Sequence, residues 1–254
     1  MNDGAYEPYR AFLKDRIRQE VDFRRTDQNR RLPPPPLQKA FDPAAPCVEL
    51  PDGASALERL CRRPVGELIL SRESRRSFRS DSFSLEELSA LLFAVQGVRR
   101  TLSAAVALRT VPSAGARHPF ETYIAVHNVD SLECGLYRYL PFEGKLLFLY
   151  PDPEIGERAA AACLDQRFVA SAGATFFWTA IPARTEWRYG AASHKVIALD
   201  AGHLCQNLYL ASESIGAGTC AIAAYDQDGC DELLSVDGIE EFTVYCAAAG
   251  KPNR

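Results

Sequence analysis

The sequence predicts an α+β fold, a mostly antiparallel sheet with helices packed against it, on three observations. Strand-like and helix-like segments intermix without the regular strand-helix-strand repeat of a doubly wound sheet. Two short strand-like segments, residues 136–139 and 146–150, flank Pro141-Phe-Glu-Gly144, a turn sequence of hairpin length. Apolar residues three or four apart run from about residue 191 to 215, a pattern long for a globular helix and suited to a dimer seam.

Up to about Pro46 the chain is charged, lacks a sustained apolar period and contains Pro33-Pro-Pro-Pro36, a polyproline II spacer. Residues 1–46 are therefore expected to form an arm, one able to pack on a partner subunit, ahead of a single domain over residues 47–254. A short amphipathic segment, residues 56–63, follows. Ser84-Leu-Glu-Glu87 is a capping box, Leu85, Leu88, Leu91, Leu92 and Val95 recur at helical spacing, and Gly97 can stop that helix. Its apolar face belongs to the core. Residues 122–126 read as a buried strand, 153–163 as a helix and 174–181 as a second buried strand.

In the long helical pattern Val196, Leu199, His203, Leu204, Leu208, Ala211 and Ile215 fall three or four apart, which makes His203 an interior residue. Gly216-Ala-Gly-Thr-Cys-Ala221 matches a dinucleotide fingerprint on paper, but it follows a helix and opens a strand, the reverse of the required context. It reads as a helix stop and a turn. Strands over residues 221–225 and 242–247 close the chain.

At 254 residues, 47% of them hydrophobic and 24% charged, the chain can bury one large core. A net charge of −4 and a pI near 5.7 exclude bulk attraction to nucleic acid or to an anionic membrane, so local basic clusters are specific sites or solvated faces. No apolar leader follows Met1, and no run approaches the roughly 18 to 20 apolar residues of a membrane span. A cytoplasmic location is expected. There, eight scattered cysteines without a CxxC pair read as buried small hydrophobes. Histidines 118, 127, 194 and 203 show no metal-binding spacing, so no metal is expected. There is no Gly-x-Ser-x-Gly elbow to support a hydrolase.

The most informative stretch is Arg109-Thr-Val-Pro-Ser-Ala-Gly-Ala-Arg-His-Pro-Phe-Glu121. Within it Pro112, Ser113, Ala114 and Gly115 give a loop of small side chains and exposed amides, which a flat or anionic ligand can approach closely. An ordinary tight turn is the alternative. Upstream, Ser74-Arg-Arg-Ser-Phe-Arg79 sets Arg75, Ser77 and Arg79 at alternate positions. If extended, they leave from one face as a phosphate clamp. The flanking Arg72, Glu73 and Arg76 also suit a solvated basic face, the usual fate of a charge run.

The order of motifs then carries a resemblance. Arg75-Arg-Ser-Phe-Arg79 precedes a Leu-Glu-Glu-Leu helix, followed by Arg109-Thr-Val-Pro-Ser-Ala-Gly-Ala116, Gly135-Leu-Tyr-Arg-Tyr139, Arg184-Thr-Glu-Trp-Arg-Tyr-Gly190, Leu199-Asp-Ala-Gly-His203, Gln206-Asn207 and Val236-Asp-Gly-Ile-Glu-Glu241. Over roughly residues 39–251 this resembles the nitroreductase-like flavoproteins, specifically the SagB-type dehydrogenases associated with thiazole and oxazole peptide maturation.

That resemblance implies a nitroreductase-like fold, an intertwined homodimer and one FMN at each subunit interface. By position it gives Arg75, Ser77 and Arg79 the phosphate and ribityl chain, and lays Pro112 to Gly115 of the facing subunit along the flavin. Backbone near Ala223 and Ala224 would meet the reactive edge. Azoline-oxidising members are expected to carry a Lys-Tyr type pair on the long helix for the ring proton. Here Ser193-His-Lys195 stands in that place without the tyrosine, leaving His194 and Lys195, with Tyr189 one turn earlier, as catalytic candidates. Lys251 and Arg254 are the counterparts of basic residues that close related chains over the phosphate. The implied activity is ping-pong hydride transfer through FMN, on azoline rings of a modified peptide or on a small molecule. NAD(P)H-dependent reduction of nitro compounds or quinones stays open, as does a catalytically silent docking partner in a peptide-modifying complex.

Overall fold

In a computed structural model, residues 5–253 are described. The arm holds only single turns of helix before residue 46, among them α1 (Glu7–Arg10) and α2 (Ile17–Glu20). It packs on its own domain. The Gln28 amide donates to the Trp187 carbonyl at 2.9 Å, the Trp187 indole donates to the Leu32 carbonyl at 3.0 Å, and the Lys39 amide donates to the Glu121 carboxylate at 2.8 Å.

The domain follows as β1 (Cys47–Glu49), α3 (Gly53–Leu60), α4 (Val65–Ser71) and α5 (Leu85–Gln96). The Ser84 side chain accepts from the Glu87 amide while the Glu87 carboxylate accepts from the Ser84 amide, so the expected capping box forms. A hairpin of β2 (Val98–Ser103) and β3 (Val106–Arg109) stands apart as a two-stranded sheet. The remaining elements are β4 (Phe120–Val126), β5 (Gly135–Leu140), β6 (Lys145–Pro151), α6 (Ile155–Ala162), β7 (Ala174–Ala180), α7 (Ala183–Tyr189), α8 (Ser193–Ser214), β8 (Gly218–Ile222), α9 (Gln227–Leu234) and β9 (Phe242–Gly250).

Seven strands form one sheet in the order β1-β6-β5-β4-β7-β9-β8, every adjacent pair antiparallel. Helices cover both faces. Ile124, Phe176 and Trp178 pack with Leu88, Leu92, Leu204 and Leu208 of α5 and α8, whereas Tyr123, Ala125 and Phe177 pack with Ile155, Cys163 and Leu233 around α6 and α9. Burial on both sides explains why the central strands read as continuous apolar runs rather than alternating ones. The α+β architecture is as the sequence predicts.

Two expectations shift. The strand placed at residues 221–225 lies at Gly218–Ile222, because pairing with β9 begins immediately after the left-handed Gly216 ends the long helix. His203 is on the outward face of α8, its side chain 48% exposed, because the buried stripe runs through Ile197, Ala201, Leu204, Cys205 and Leu208 instead. Leu199 shares that outer face. Among the described residues, Cys163, Cys205, Cys220, Cys230 and Cys246 are buried thiols, whereas Cys47, Cys61 and Cys134 are only half-buried, and no helix is long and apolar enough to cross a membrane.

Candidate functional site

The loop after β3 is held in an unusual backbone shape. Gly115, Ala116 and His118 all take positive φ, at 62°, 52° and 45°. What holds it is hydrogen bonding from two sides. The Ser113 hydroxyl accepts from the His118 amide at 2.9 Å, and the Asp200 carboxylate on α8 accepts from the Ala114 amide at 3.1 and 3.3 Å. Burial raises the pKa of Asp200, while the Ser113 hydroxyl and the Ala114 amide oppose that shift by bonding its charged form. The hydroxyl and amide that the sequence offers to a ligand are thus already committed to organising the loop.

Gly115 packs beneath the end of α7. A Cβ at this position would sit 2.6 Å from the Arg188 Cδ and 2.8 Å from the Tyr189 hydroxyl. The Arg188 guanidinium in turn lies 5.6 Å from the Tyr189 ring centre. The motif block at residues 109–116 therefore meets those at 184–190 and 199–203, the latter in the first half of α8. Of the catalytic candidates, Tyr189 touches the loop. His194 is turned to Glu186, with 2.8 Å between Nε2 and Oε1, and the Lys195 ammonium donates to the Leu13 carbonyl of the arm.

The basic segment is extended, as its alternation requires. Ser74 bridges Thr219 in parallel and Phe78 bridges Pro252 antiparallel, with the Arg75 and Arg79 amides donating to the Thr219 and Lys251 carbonyls at 3.0 and 2.9 Å. Phe78 enters the core, which turns Arg75, Ser77 and Arg79 to the other side. Arg75 lies flat on Gly218, where a Cβ would come within 2.5 Å of its Cγ. Its terminal nitrogens reach Glu73 at 2.7 Å and Glu213 at 3.9 Å, while its Nε is buried without an acceptor. Ser77 accepts from the Asn253 side chain at 2.8 Å, and Arg79 pairs with Asp81 at 2.9 Å.

The remaining candidates are more dispersed. The Lys251 ammonium is held by Glu87 of α5 over the Phe83 ring, so turning to a phosphate requires breaking that ion pair. Arg254 lies outside the described residues. Ala223 and Ala224 are exposed in the loop after β8, the Ala224 carbonyl accepting from Gln166 at 2.9 Å. Ala224 stands five residues beyond Thr219, so the clamp and this backbone lie toward opposite ends of β8.

One chain does not bring the clamp and the loop together. Arg75 meets α8 at Glu213 and Ala114 meets it at Asp200, thirteen residues away and about 20 Å of helix rise. The direct tie of Asp200 to the loop is not evident from the sequence, although both residues lie in the motif blocks. The small, tightly spaced Pro-Ser-Ala-Gly and the acidic residue beside Ala-Gly-His were the only signals of it.

Comparison with known proteins adds independent support. Residues 69–251 match the family model described as "Nitroreductase family". A candidate nitroreductase of Methanocaldococcus jannaschii is 34% identical over 189 residues, 74% of this chain and 89% of that protein. Among solved structures, a candidate nitroreductase from Anabaena variabilis superposes with a TM-score of 0.67 at 25% identity, over 83% of this chain and 42% of that one. The chain therefore spans less than half the length of that relative. A chain of the E. coli microcin synthetase McbBCD complex, solved with truncated pro-MccB17 bound, has a TM-score of 0.62 at 17% identity, covering 100% of this chain and 99% of its own; that likeness is one of fold.

Proposed function

The chain belongs to the nitroreductase family of oxidoreductases, and from that premise we propose that it is an FMN-dependent, SagB-type dehydrogenase acting as a homodimer on azoline rings of a modified peptide. The observation that carries the reading is the arrangement along α8. Arg75 meets its C-terminal end at Glu213, and the loop beside Tyr189 is bonded to Asp200 in its first half. A second copy with its α8 antiparallel to the first lays the loop of one subunit beside the clamp of the other. The outward stripe of Ala198, Leu199, Gly202, His203 and Gln206 offers the seam for that pairing.

The residues fit FMN. The buried Arg75 Nε lacks an acceptor, and a phosphate oxygen supplies one. Arg75, Ser77 and Arg79 would hold the charged tail, with Glu73 and Asp81, both largely exposed, giving way at little cost. Pro112, Ser113, Ala114 and Gly115 of the facing subunit would line the ring, and backbone at Ala223 and Ala224 would meet its reactive edge. When bound, FMN supplies the electron-accepting centre that no side chain here provides. Tyr189 lies nearest the loop and is assigned the transfer of the ring proton, with Lys195 and His194 behind it.

The finer assignment to peptide dehydrogenation rests on two supports. One is the motif order. The other is the likeness of the whole chain, arm included, to a subunit of a synthetase complex that holds pro-MccB17. Purified protein tests it. Retained flavin that an azoline-containing peptide bleaches and NAD(P)H leaves oxidised, on a particle of twice the 28.0 kDa chain mass, is the expected result. Bleaching by NAD(P)H with recovery in air moves the assignment to a nitro or quinone reductase, and a colourless protein that refuses FMN ends every redox version.

A further inference from the structure

The sheet face turned away from α5 and α8 carries a polar row. Tyr123, Arg138 and Leu147 are cross-strand neighbours on β4, β5 and β6, and together they floor a cavity of about 330 Å³. Residues 39–42 of the arm roof it, and Leu149, Tyr150 and Leu234 close its sides. None of the candidate flavin-binding residues borders this cavity.

Like Arg109 and Arg117, Arg138 is buried without a carboxylate partner among the described residues, but of the three only Arg138 borders this cavity. Arg138 itself is 3% exposed. One terminal nitrogen donates to the Lys39 and Ala40 carbonyls at 3.2 and 3.1 Å, and its Nε is buried with no acceptor. The other cations on this face are matched: Lys39 with Glu241, which also accepts from Tyr123 and Thr179, and Arg184 with Glu121. Asp42 stands exposed at the rim, its carboxylate accepting from the Ala44 amide at 2.9 Å. A buried guanidinium with only carbonyl partners keeps its charge uncompensated, and an anion in the adjoining cavity compensates it.

We propose that this cavity is a second ligand site, separate from the flavin site, which binds a small organic carboxylate. The carboxylate pairs with Arg138 and the apolar body lies against Leu147, Leu149, Tyr150 and Leu234. This is the common construction of a small-molecule site, apolar walls around one charged anchor. The roof belongs to the arm, so occupancy also fastens residues 39–42 to the sheet.

Titration calorimetry on the full chain, with phenylacetate, its neutral analogue phenylacetamide and inorganic phosphate as probes, decides it. Saturable binding of phenylacetate is expected, at least tenfold tighter than phenylacetamide or phosphate, with flavin absorbance unchanged. Arg138→Met should abolish the preference for acid over amide. Leu149→Trp, which fills the cavity from a half-exposed position and leaves the anchor intact, should weaken phenylacetate at least tenfold without lowering the melting temperature. Equal binding of acid and amide, phosphate binding as tightly as phenylacetate, displacement of flavin, or wild-type affinity in a folded Leu149→Trp protein each overturns the proposal, as does a wild-type chain that takes up none of the probes.

Discussion

The Asp200 carboxylate on α8 accepts the Ala114 amide with both oxygens, at 3.1 and 3.3 Å, and so fixes a loop 86 residues earlier in the chain. The same carboxylate is 5% exposed. Asp200→Ala leaves a part-buried amide without its acceptor, at a cost of about 1–3 kcal/mol. Asp200→Asn keeps one acceptor oxygen and should lose less. Urea unfolding midpoints of the two variants give the order. Flavin retention, followed on the same samples, should fall in the same order if the loop lines the ring; unchanged retention in Asp200→Ala would separate the loop from the cofactor.

At the far end of α8, Arg75→Ala and Arg79→Ala should each weaken FMN retention by about 1.5–3 kcal/mol, the scale of a hydrogen bond to a charged group. Lys251→Ala should behave differently. Its ammonium serves Glu87 in the capping box of α5, so its loss is expected to lower the melting temperature and leave flavin affinity nearly unchanged. Equilibrium dialysis against free FMN separates the two responses, and wild-type occupancy in both arginine variants would show that the clamp is misassigned.

How much of this was legible beforehand follows the range of the interaction. The α5 capping box and the stop at Gly97 are local hydrogen-bond chemistry, and both stand where the sequence puts them. The β2–β3 hairpin was not foreseen, because β2 is almost wholly exposed and so carries no apolar alternation. Helix α7 escaped as well. It is seven residues long, and what it buries is Arg184 against Glu121 and Thr185, charge and hydroxyl rather than an apolar stripe. In the candidate site the loop and the basic strand were visible as composition. The hydrogen bond that joins Asp200 to Ala114 and the packing of Gly115 against the end of α7 are tertiary, and no periodicity records them.

His118 gives the loop a pH dependence. Burial, then the nearby Arg109, pushes its pKa down to about 3 from an ordinary 6.5, against an opposing bond to the Ala107 carbonyl; Arg117 and Arg184 add to the depression. The unfolded chain takes up a proton near pH 6.5 and the folded chain refuses it until near pH 3. Stability is therefore complete above pH 6.5 and falls as the pH drops toward 3, by at most about 1.4 kcal/mol per pH unit for this group. His127, held down to about 4 by burial, contributes a second decline over a narrower window. Urea unfolding at pH 7.5, 6.0 and 5.0 should show the loss, and His118→Asn, which tolerates the positive φ, should remove about half of it. A slope unchanged in that variant would mean that His118 protonates freely in the folded chain.

Gly115 tests whether the loop and Tyr189 act together. At φ 62° any L side chain is strained, and here the new Cβ also collides with Arg188 and with the Tyr189 hydroxyl. Gly115→Ala should cost about 1 kcal/mol for the backbone alone, and more where α7 cannot yield. Because the collision falls on Tyr189, the displaced group is the one assigned the proton. Turnover on an azoline peptide should therefore drop further than flavin affinity does, as it would in Tyr189→Phe. Equal losses of kcat and flavin binding in Gly115→Ala, with a Tyr189→Phe enzyme as fast as wild type, would leave Tyr189 a packing residue and pass the proton to Lys195, once its ammonium leaves the Leu13 carbonyl.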